Sequence, residues 1–66
     1  MSPRTARLSS KEMIKLLEQH GFAIVGIRGS HCKLRKDDRV VIVPLNRDPL
    51  RIGTQSDILA KAGITL

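Results

Sequence analysis

The sequence predicts an α+β fold in which two helices flank three antiparallel strands, in the order α-β-β-β-α. Two segments repeat apolar residues at helical spacing, and three short segments between them are β-branched or alternating and separated by turn residues. The 66 residues are expected to form a single domain, 1–66. A three-stranded sheet can offer one face to both helices, so we expect both on that face and the other face open.

The first helix is predicted to begin at Ser9, after a flexible basic N-terminus over residues 1–7. Ser9 and Glu12 have the spacing of a capping box, and Leu8 can pack on Met13 as a hydrophobic staple. The helical stripe then comprises Met13, Leu16, Leu17 and His20. Gly21 is predicted to end the helix in a left-handed conformation.

The first two strands are predicted on either side of a Gly29-Ser30 turn. Residues 22–28 are β-branched and bounded by glycines, which indicates a strand covered on both sides, with a bulge or close approach at Gly26. Residues 31–35 alternate strictly between polar and apolar, the period of a half-buried strand. We therefore expect a core side with Cys32 and Leu34, and an opposite side with His31, Lys33 and Arg35.

The third strand is predicted over residues 39–43, after a polar hairpin connection at 36–38. Pro44 ends it because proline cannot donate to a strand ladder. Residues 45–52 show no clear period, so we expect an exposed, cationic and mobile connection.

The second helix is predicted to start near Gly53. Thr54 is expected as its N-cap, with Asp57 at the third helical position. Gly63 should end the helix, and Ile64 can fold back onto it.

The charge of the chain indicates a polyanionic partner. Twelve Lys and Arg against six Asp and Glu leave a net charge of +6. Neither predicted helix combines a basic face with a large apolar face, so we expect no membrane association. Phe22 is the only aromatic residue, which removes the stacking platforms of many single-strand binders; RNA would be bound through phosphates and sugars.

The cysteine content points to a reducing compartment. Cys32 is the only cysteine, so a disulfide within the chain or a zinc-binding cysteine set is excluded, and Cys32 is expected to be buried filler. No apolar run follows the basic N-terminus that could act as a signal peptide. We expect a cytoplasmic protein.

Gly29-Ser30-His31 is where chemistry is most readily placed. An ordinary imidazole titrates near pH ~6.5, so a histidine can take a proton from a 2′-hydroxyl or give one to a leaving oxygen near neutral pH. Arg28 and Lys33 could supply charge for the phosphate. Gly29 lets the backbone approach that phosphate, and Ser30 offers a hydroxyl donor.

Several alternatives stay open on these residues alone. Spacing by itself favours a surface histidine in a basic patch beside an ordinary turn. The same face could belong to a non-catalytic RNA-binding module, or to a regulatory protein that binds only another protein, although charged residues are depleted at protein interface cores. With two histidines and no clustered carboxylates, no metal site and no small-molecule cofactor are expected, and Asp37-Asp38 is interpreted as a turn.

Four short blocks carry a resemblance to a known family over residues 11–64. The blocks are His20-Gly21-Phe22; Arg28-Gly29-Ser30-His31; Val41-Ile42-Val43-Pro44; and Gly53-Thr54, Ile58-Leu59 and Ala62-Gly63-Ile64. Their ordered combination is far more specific than any one of them. On these blocks the chain resembles the HicA (YcfA-like) toxins of toxin-antitoxin systems.

The resemblance implies a double-stranded-RNA-binding-domain-like fold and metal-independent cleavage of mRNA. It implies that His31 is catalytic, with Gly29 as its supporting residue, and that a HicB-type antitoxin neutralises the toxin by covering the site. The residues expected to bind RNA are Arg28, Gly29, Ser30, Lys33, Arg35, Asn46 and Arg47.

Asn46 is the departure from the family pattern. Many relatives have a histidine two residues after the strand-ending proline, where this chain has Asn46. An amide can hydrogen-bond a phosphate or a base edge but exchanges no proton near pH 7. Proton transfer would then depend on His31 and water.

Overall fold

The computed structural model describes residues 7–65 and shows the predicted order of elements. The helices are α1 (Ser10–Gln19) and α2 (Ile52–Ala62). Between them lie β1 (Ala23–Arg28), β2 (His31–Lys36) and β3 (Arg39–Pro44). The α-β-β-β-α prediction is confirmed. Within the described part of the chain, neither helix is long and apolar enough to cross a membrane.

Helix α1 begins as the capping pattern predicts. The Glu12 N–H donates to Ser9 Oγ at 3.2 Å, and the Ser9 N–H donates to Glu12 Oε1 at 2.8 Å, which satisfies two otherwise unpaired donors. The helix ends at Gln19 with His20 as its C-cap, and Gly21 follows with a left-handed φ of +93°. Met13 and Leu17 are fully buried, whereas His20 is exposed and lies outside the buried stripe.

The three strands form one antiparallel sheet in the order β1-β2-β3. The ladder between β1 and β2 slips between Ile24 and Gly26, so Val25 is an extra residue on β1. The bulge predicted at Gly26 is therefore present. The ladder between β2 and β3 is regular from His31–Pro44 to Lys36–Arg39.

Both helices pack on one face of the sheet, as expected. We call this the covered face; its central side chains are Cys32 and Leu34 of β2 and Val41 and Val43 of β3, all at most 1% exposed. They form one core with buried residues of the helices and connections: Met13, Leu17, Phe22, Leu50, Ile58, Ala62 and Ile64.

Strand β1 differs from its prediction. All six of its residues are exposed, and Ile24, Val25 and Ile27 keep 43%, 54% and 62% of their surface. The apolar composition indicated cover on both sides, but the helices pack mainly against β3, and the bulge leaves Val25 outside the ladder. Only Phe22, just before the strand, reaches the core.

The connection between β3 and α2 also packs more closely against the rest of the fold than its composition predicts. Leu50 has no exposed surface, and its N–H donates to the Leu8 carbonyl at 2.7 Å. Arg7 Nε donates to the Leu50 carbonyl at 2.9 Å, so Arg7 belongs to the folded part; the rest of the predicted flexible N-terminus, residues 1–6, lies outside the described residues. The expectation of an exposed connection is wrong at Leu50.

Helix α2 starts earlier than predicted. Its N-cap is Arg51, without a side-chain cap, and Thr54 already lies inside the helix. Asp57 does not cap the first turn; its Oδ2 lies 3.3 Å from Lys61 Nζ, one turn further on. The end is as predicted: Gly63 has φ +73°, and the buried Ile64 donates its N–H to the Leu59 carbonyl.

The β2–β3 hairpin contacts both helix ends through two cations. Arg39 Nη1 donates to the Lys61 carbonyl at 3.0 Å, and the guanidinium lies against Gly63. The Lys36 side chain lies over Gly21, with Cε 3.3 Å from where a Cβ would stand. Positive charge is favourable at helix C-termini because the carbonyls there are unpaired.

Candidate functional site

The face of the sheet turned away from the helices carries His31 and three of the predicted RNA-binding residues, Arg28, Lys33 and Arg35. We call it the open face. Strand register places its side chains in three rows across the sheet: Arg28-His31-Pro44, Gly26-Lys33-Ile42 and Ala23-Arg35-Val40. The alternation predicted for β2 is therefore observed, because His31, Lys33 and Arg35 are exposed while Cys32 and Leu34 are buried.

The open face is positively charged along its centre and apolar along one side. Arg28, Lys33 and Arg35 contribute three cations, and none of the nine open-face residues is acidic. On β3, Val40 and Ile42 expose 41% and 52% of their surface. An uncompensated group of cations on a flat strand surface favours binding of a polyanion.

A shallow depression of about 790 Å³ lies on this face, with the lining residues Gly26, Ile27, Arg28, His31, Lys33 and Ile42. Gly26 makes the surface low there, because it has no side chain and no atom lies within 4 Å of a Cβ built on it. The depression therefore brings an imidazole and two cations around one open volume.

His31 stands at the rim of this depression, at the start of β2. Its side chain is exposed and makes no hydrogen bond or ion pair with residues 7–65. The turn before it favours glycine, since Gly29 has the left-handed φ of +58°. The Ser30 carbonyl accepts the Leu45 N–H at 2.7 Å, which attaches this turn to the end of β3. His31 is thus exposed at a turn that is attached to the neighbouring strand.

Arg35 lies on the same face but at its far end. It is two rows from His31, about 13 Å along the strand at ordinary strand rise. Its Nε donates to the Asp37 carbonyl at 2.8 Å, so the guanidinium is held toward the turn between β2 and β3. The other N–H groups of the guanidinium are not used by this bond. Arg35 therefore lies on the open face but does not line the depression.

Asn46 and Arg47 are separated from the depression. They line a second depression of about 440 Å³, together with residues in the first turn of α1 such as Lys11. Asn46 has φ +61°, a left-handed conformation that asparagine tolerates. The structure therefore divides the predicted RNA-binding residues into two groups, joined by the Leu45–Ser30 hydrogen bond.

Ser10 is a site-associated residue that sequence reasoning missed. It is 4% exposed, and its Oγ lies 2.6 Å from the Pro44 carbonyl and 2.9 Å from the Arg47 nitrogen. The available signal was the serine pair at the start of α1, since a helix needs only one serine as N-cap. Its partners lie 34 and 37 residues away, which no local pattern shows.

Other titratable groups of the described chain offer no second centre. Cys32 is buried, and this burial, with a smaller effect of the Glu18 carboxylate, raises the pKa of its thiol above the ordinary value. It is therefore filler, as expected, rather than a nucleophile. Among residues 7–65, no three His, Cys, Asp or Glu side chains are grouped so as to hold a metal ion.

Comparison with known proteins identifies the family. No curated protein sequence matches the chain. The family model described as HicA toxin of bacterial toxin-antitoxin matches residues 10–64 of the 66. This match spans all five elements, the turn before His31 and the loop with Asn46. The chain belongs to the HicA toxin family of bacterial toxin-antitoxin systems.

Proposed function

We propose that this chain is a metal-independent ribonuclease, an mRNA interferase, in which His31 is the general acid or base. The observation that carries the proposal is the exposed His31 imidazole at a depression that also has Arg28 and Lys33 in its lining. Membership of a toxin family supports it. An mRNA substrate implies action in the cytoplasm.

The chemistry requires one proton to leave the attacking 2′-hydroxyl and one to reach the departing 5′-oxygen. Histidine is suited to either transfer near neutral pH. Arg28 and Lys33, in the same and the next row, offer positive charge to the phosphate as negative charge develops on its oxygens. Because Asn46 exchanges no proton near pH 7, water is the partner for the second transfer.

RNA would be held by its backbone rather than by its bases. The open face offers Arg28, Lys33 and Arg35 for phosphates, and the Gly29-Ser30 turn adds a hydroxyl beside His31. Asn46 and Arg47 would contact the strand beyond the depression, on the side of α1. No aromatic side chain is available for stacking, so discrimination among bases should be weak on the open face itself.

The same face is proposed to receive a HicB-type antitoxin. An antitoxin that inhibits the toxin by covering its site needs a surface that a protein can bury. Exposed Val40 and Ile42 offer apolar surface directly beside the cations. An acidic partner would complement the net charge of +6. Toxin inhibition would then be direct competition with RNA.

The test is His31→Ala, compared with His20→Ala as the matched control. His20 is the other histidine of the chain and is exposed at the end of α1, away from the open face. Both variants are expressed in cells, with growth and mRNA integrity as readouts, and RNA binding is measured in parallel on the purified proteins. We expect His31→Ala to lose toxicity and cleavage by a factor of ~10² or more while keeping RNA affinity within a few-fold.

The outcome separates two functions of the open face. The single proton-exchanging side chain of the open face favours a second candidate, an RNA-binding module without catalysis. Equal toxicity of His31→Ala and His20→Ala would refute catalysis by His31. A loss of RNA affinity without a specific loss of cleavage would support the binding module instead.

A further inference from the structure

One peptide group connects helix α1 to the turn before His31. The carbonyl of Pro44 accepts a hydrogen bond from Ser10 Oγ at 2.6 Å. The N–H of the next residue, Leu45, donates to the Ser30 carbonyl at 2.7 Å. These two groups belong to the same planar peptide unit, so Ser10 and Ser30 hold it from opposite ends.

Ser10 is buried and makes further hydrogen bonds that hold its side chain beside the Pro44 carbonyl. It is 4% exposed although it lies in the first turn of a surface helix. Its Oγ accepts the Arg47 N–H at 2.9 Å, and its own N–H donates to the Arg47 carbonyl at 2.8 Å. Helix capping does not need it, because Ser9 already provides the cap.

The held peptide lies next to the proposed reaction centre. Pro44 is the strand partner of His31 in the sheet, and Ser30 directly precedes His31. Linked hydrogen bonds polarise one another, so the bond from Ser10 should strengthen the bond between Leu45 and Ser30. The position of His31 relative to the β3–α2 loop is thereby fixed by a side chain that does not reach the open face.

We propose that Ser10 is a positioning residue for His31 and the Gly29-Ser30 turn, acting through the Pro44–Leu45 peptide. The inference rests on the proposed ribonuclease function and adds a residue that does not line the depression at His31. Loss of the hydroxyl leaves the Pro44 carbonyl and the Arg47 N–H without this partner, while the backbone bond from Ser10 to Arg47 persists. The chain should therefore fold, with the turn less closely held.

The experiment compares Ser10→Ala with Ser9→Ala in the full chain. Ser9 is the neighbouring serine, and its Oγ accepts from the Glu12 N–H at the helix start. Cleavage of a defined RNA is measured as kcat and KM per folded molecule. Ser10→Ala should lower kcat roughly tenfold with KM changed less than about twofold, because small misplacements of a reacting group reduce rate strongly. Ser9→Ala should lower thermal stability and leave kcat unchanged.

A volume-matched pair repeats the comparison. Ser10→Thr keeps a hydroxyl and Ser10→Val replaces it with a methyl group at nearly equal size, so packing at this buried position affects both. We expect kcat of the threonine variant to exceed that of the valine variant roughly tenfold. Equal kcat values for the two would overturn the proposal.

Amide hydrogen exchange supplies a readout independent of cleavage. In Ser10→Ala the Leu45 amide should exchange faster relative to the Leu34 amide in the sheet core, and the His31 resonances should shift; in Ser9→Ala the ratio should stay at the wild-type value. If wild-type protein cleaves no RNA, the proposed function fails, and exchange alone decides whether Ser10 holds the turn. Unchanged Leu45 exchange and unshifted His31 resonances in Ser10→Ala would refute that role.

Discussion

Successive residues of strand β2 face opposite sides of the sheet, and the two sides differ in burial and in charge. On the covered face, Cys32 and Leu34 have no exposed surface and belong to the same core as buried residues of both helices. On the open face, His31, Lys33 and Arg35 are exposed. One short strand thus contributes both to the core and to the proposed site, because successive side chains point to opposite sides.

The same contrast divides the cations of the hairpin. Lys33 and Arg35 lie on the open face, whereas Lys36 and Arg39 are strand partners whose side chains reach the ends of the two helices. The number of cations in the sequence therefore overstates the charge of the proposed RNA-binding surface. The core and the proposed site lie on opposite sides of the sheet, so substitutions on the covered face should lower stability and those on the open face should lower RNA binding or cleavage.

The largest expected effect is on the covered face, from Leu34→Ala. Removing a fully buried leucine typically costs about 2–5 kcal/mol, against a total stability of roughly 3–10 kcal/mol for a chain of this length. Chemical denaturation should show a large loss of stability or an unfolded protein. The control is Lys33→Ala, its exposed neighbour, which should stay within about 0.5 kcal/mol of wild type. Similar losses for the two would contradict the division between faces.

An intermediate effect is expected when the depression of the open face is filled by Gly26→Val. No atom lies within 4 Å of a Cβ at Gly26, so folding should tolerate the change, while the new side chain occupies the volume between Arg28 and Lys33. Cleavage should fall on the order of tenfold through displaced substrate.

Gly53→Ala is the matched control for that substitution. Gly53 has equally open surroundings but lies in α2, and alanine there should raise stability by about 0.5–1 kcal/mol without altering cleavage. Wild-type cleavage by Gly26→Val would show that the depression is not where RNA reacts.

The smallest effect should come from single cations, where Lys33→Ala is compared with Lys36→Ala. Both remove one positive charge from β2, on opposite faces. Lys33→Ala should weaken RNA binding several-fold, uniformly across sequences, and reduce the slope of log affinity against log salt by about 1. Lys36→Ala should leave that slope unchanged. Identical slopes for both variants would mean that RNA senses only net charge.

The parts of the fold that the sequence predicted are those with a local physical signature. The capping box of Ser9 and Glu12 involves residues three apart, and the stop at Gly21 depends on a single backbone conformation. The alternation of β2 separated its two faces because the side-chain period of a strand is two. The cluster of Arg28, His31 and Lys33 followed from that alternation and one turn.

The parts that were mispredicted depend on contacts between distant segments. Exposure of β1 follows from the packing of the helices mainly against β3, and composition does not report which strand a helix covers. Leu50 is buried through partners near residue 8, 42 positions away. The separation of Asn46 and Arg47 from the depression likewise arises from their contact with α1.

The sequence by itself determined the order of elements, the two faces of β2 and the family blocks around Gly29-Ser30-His31, because each is written in neighbouring residues. Only the tertiary structure decided which cations remain on the open face and which neutralise helix ends. It alone revealed that the Pro44–Leu45 peptide unit is hydrogen-bonded to both Ser10 and Ser30. These features require segments tens of residues apart to meet, and that meeting is set by packing of the whole core rather than by any local pattern.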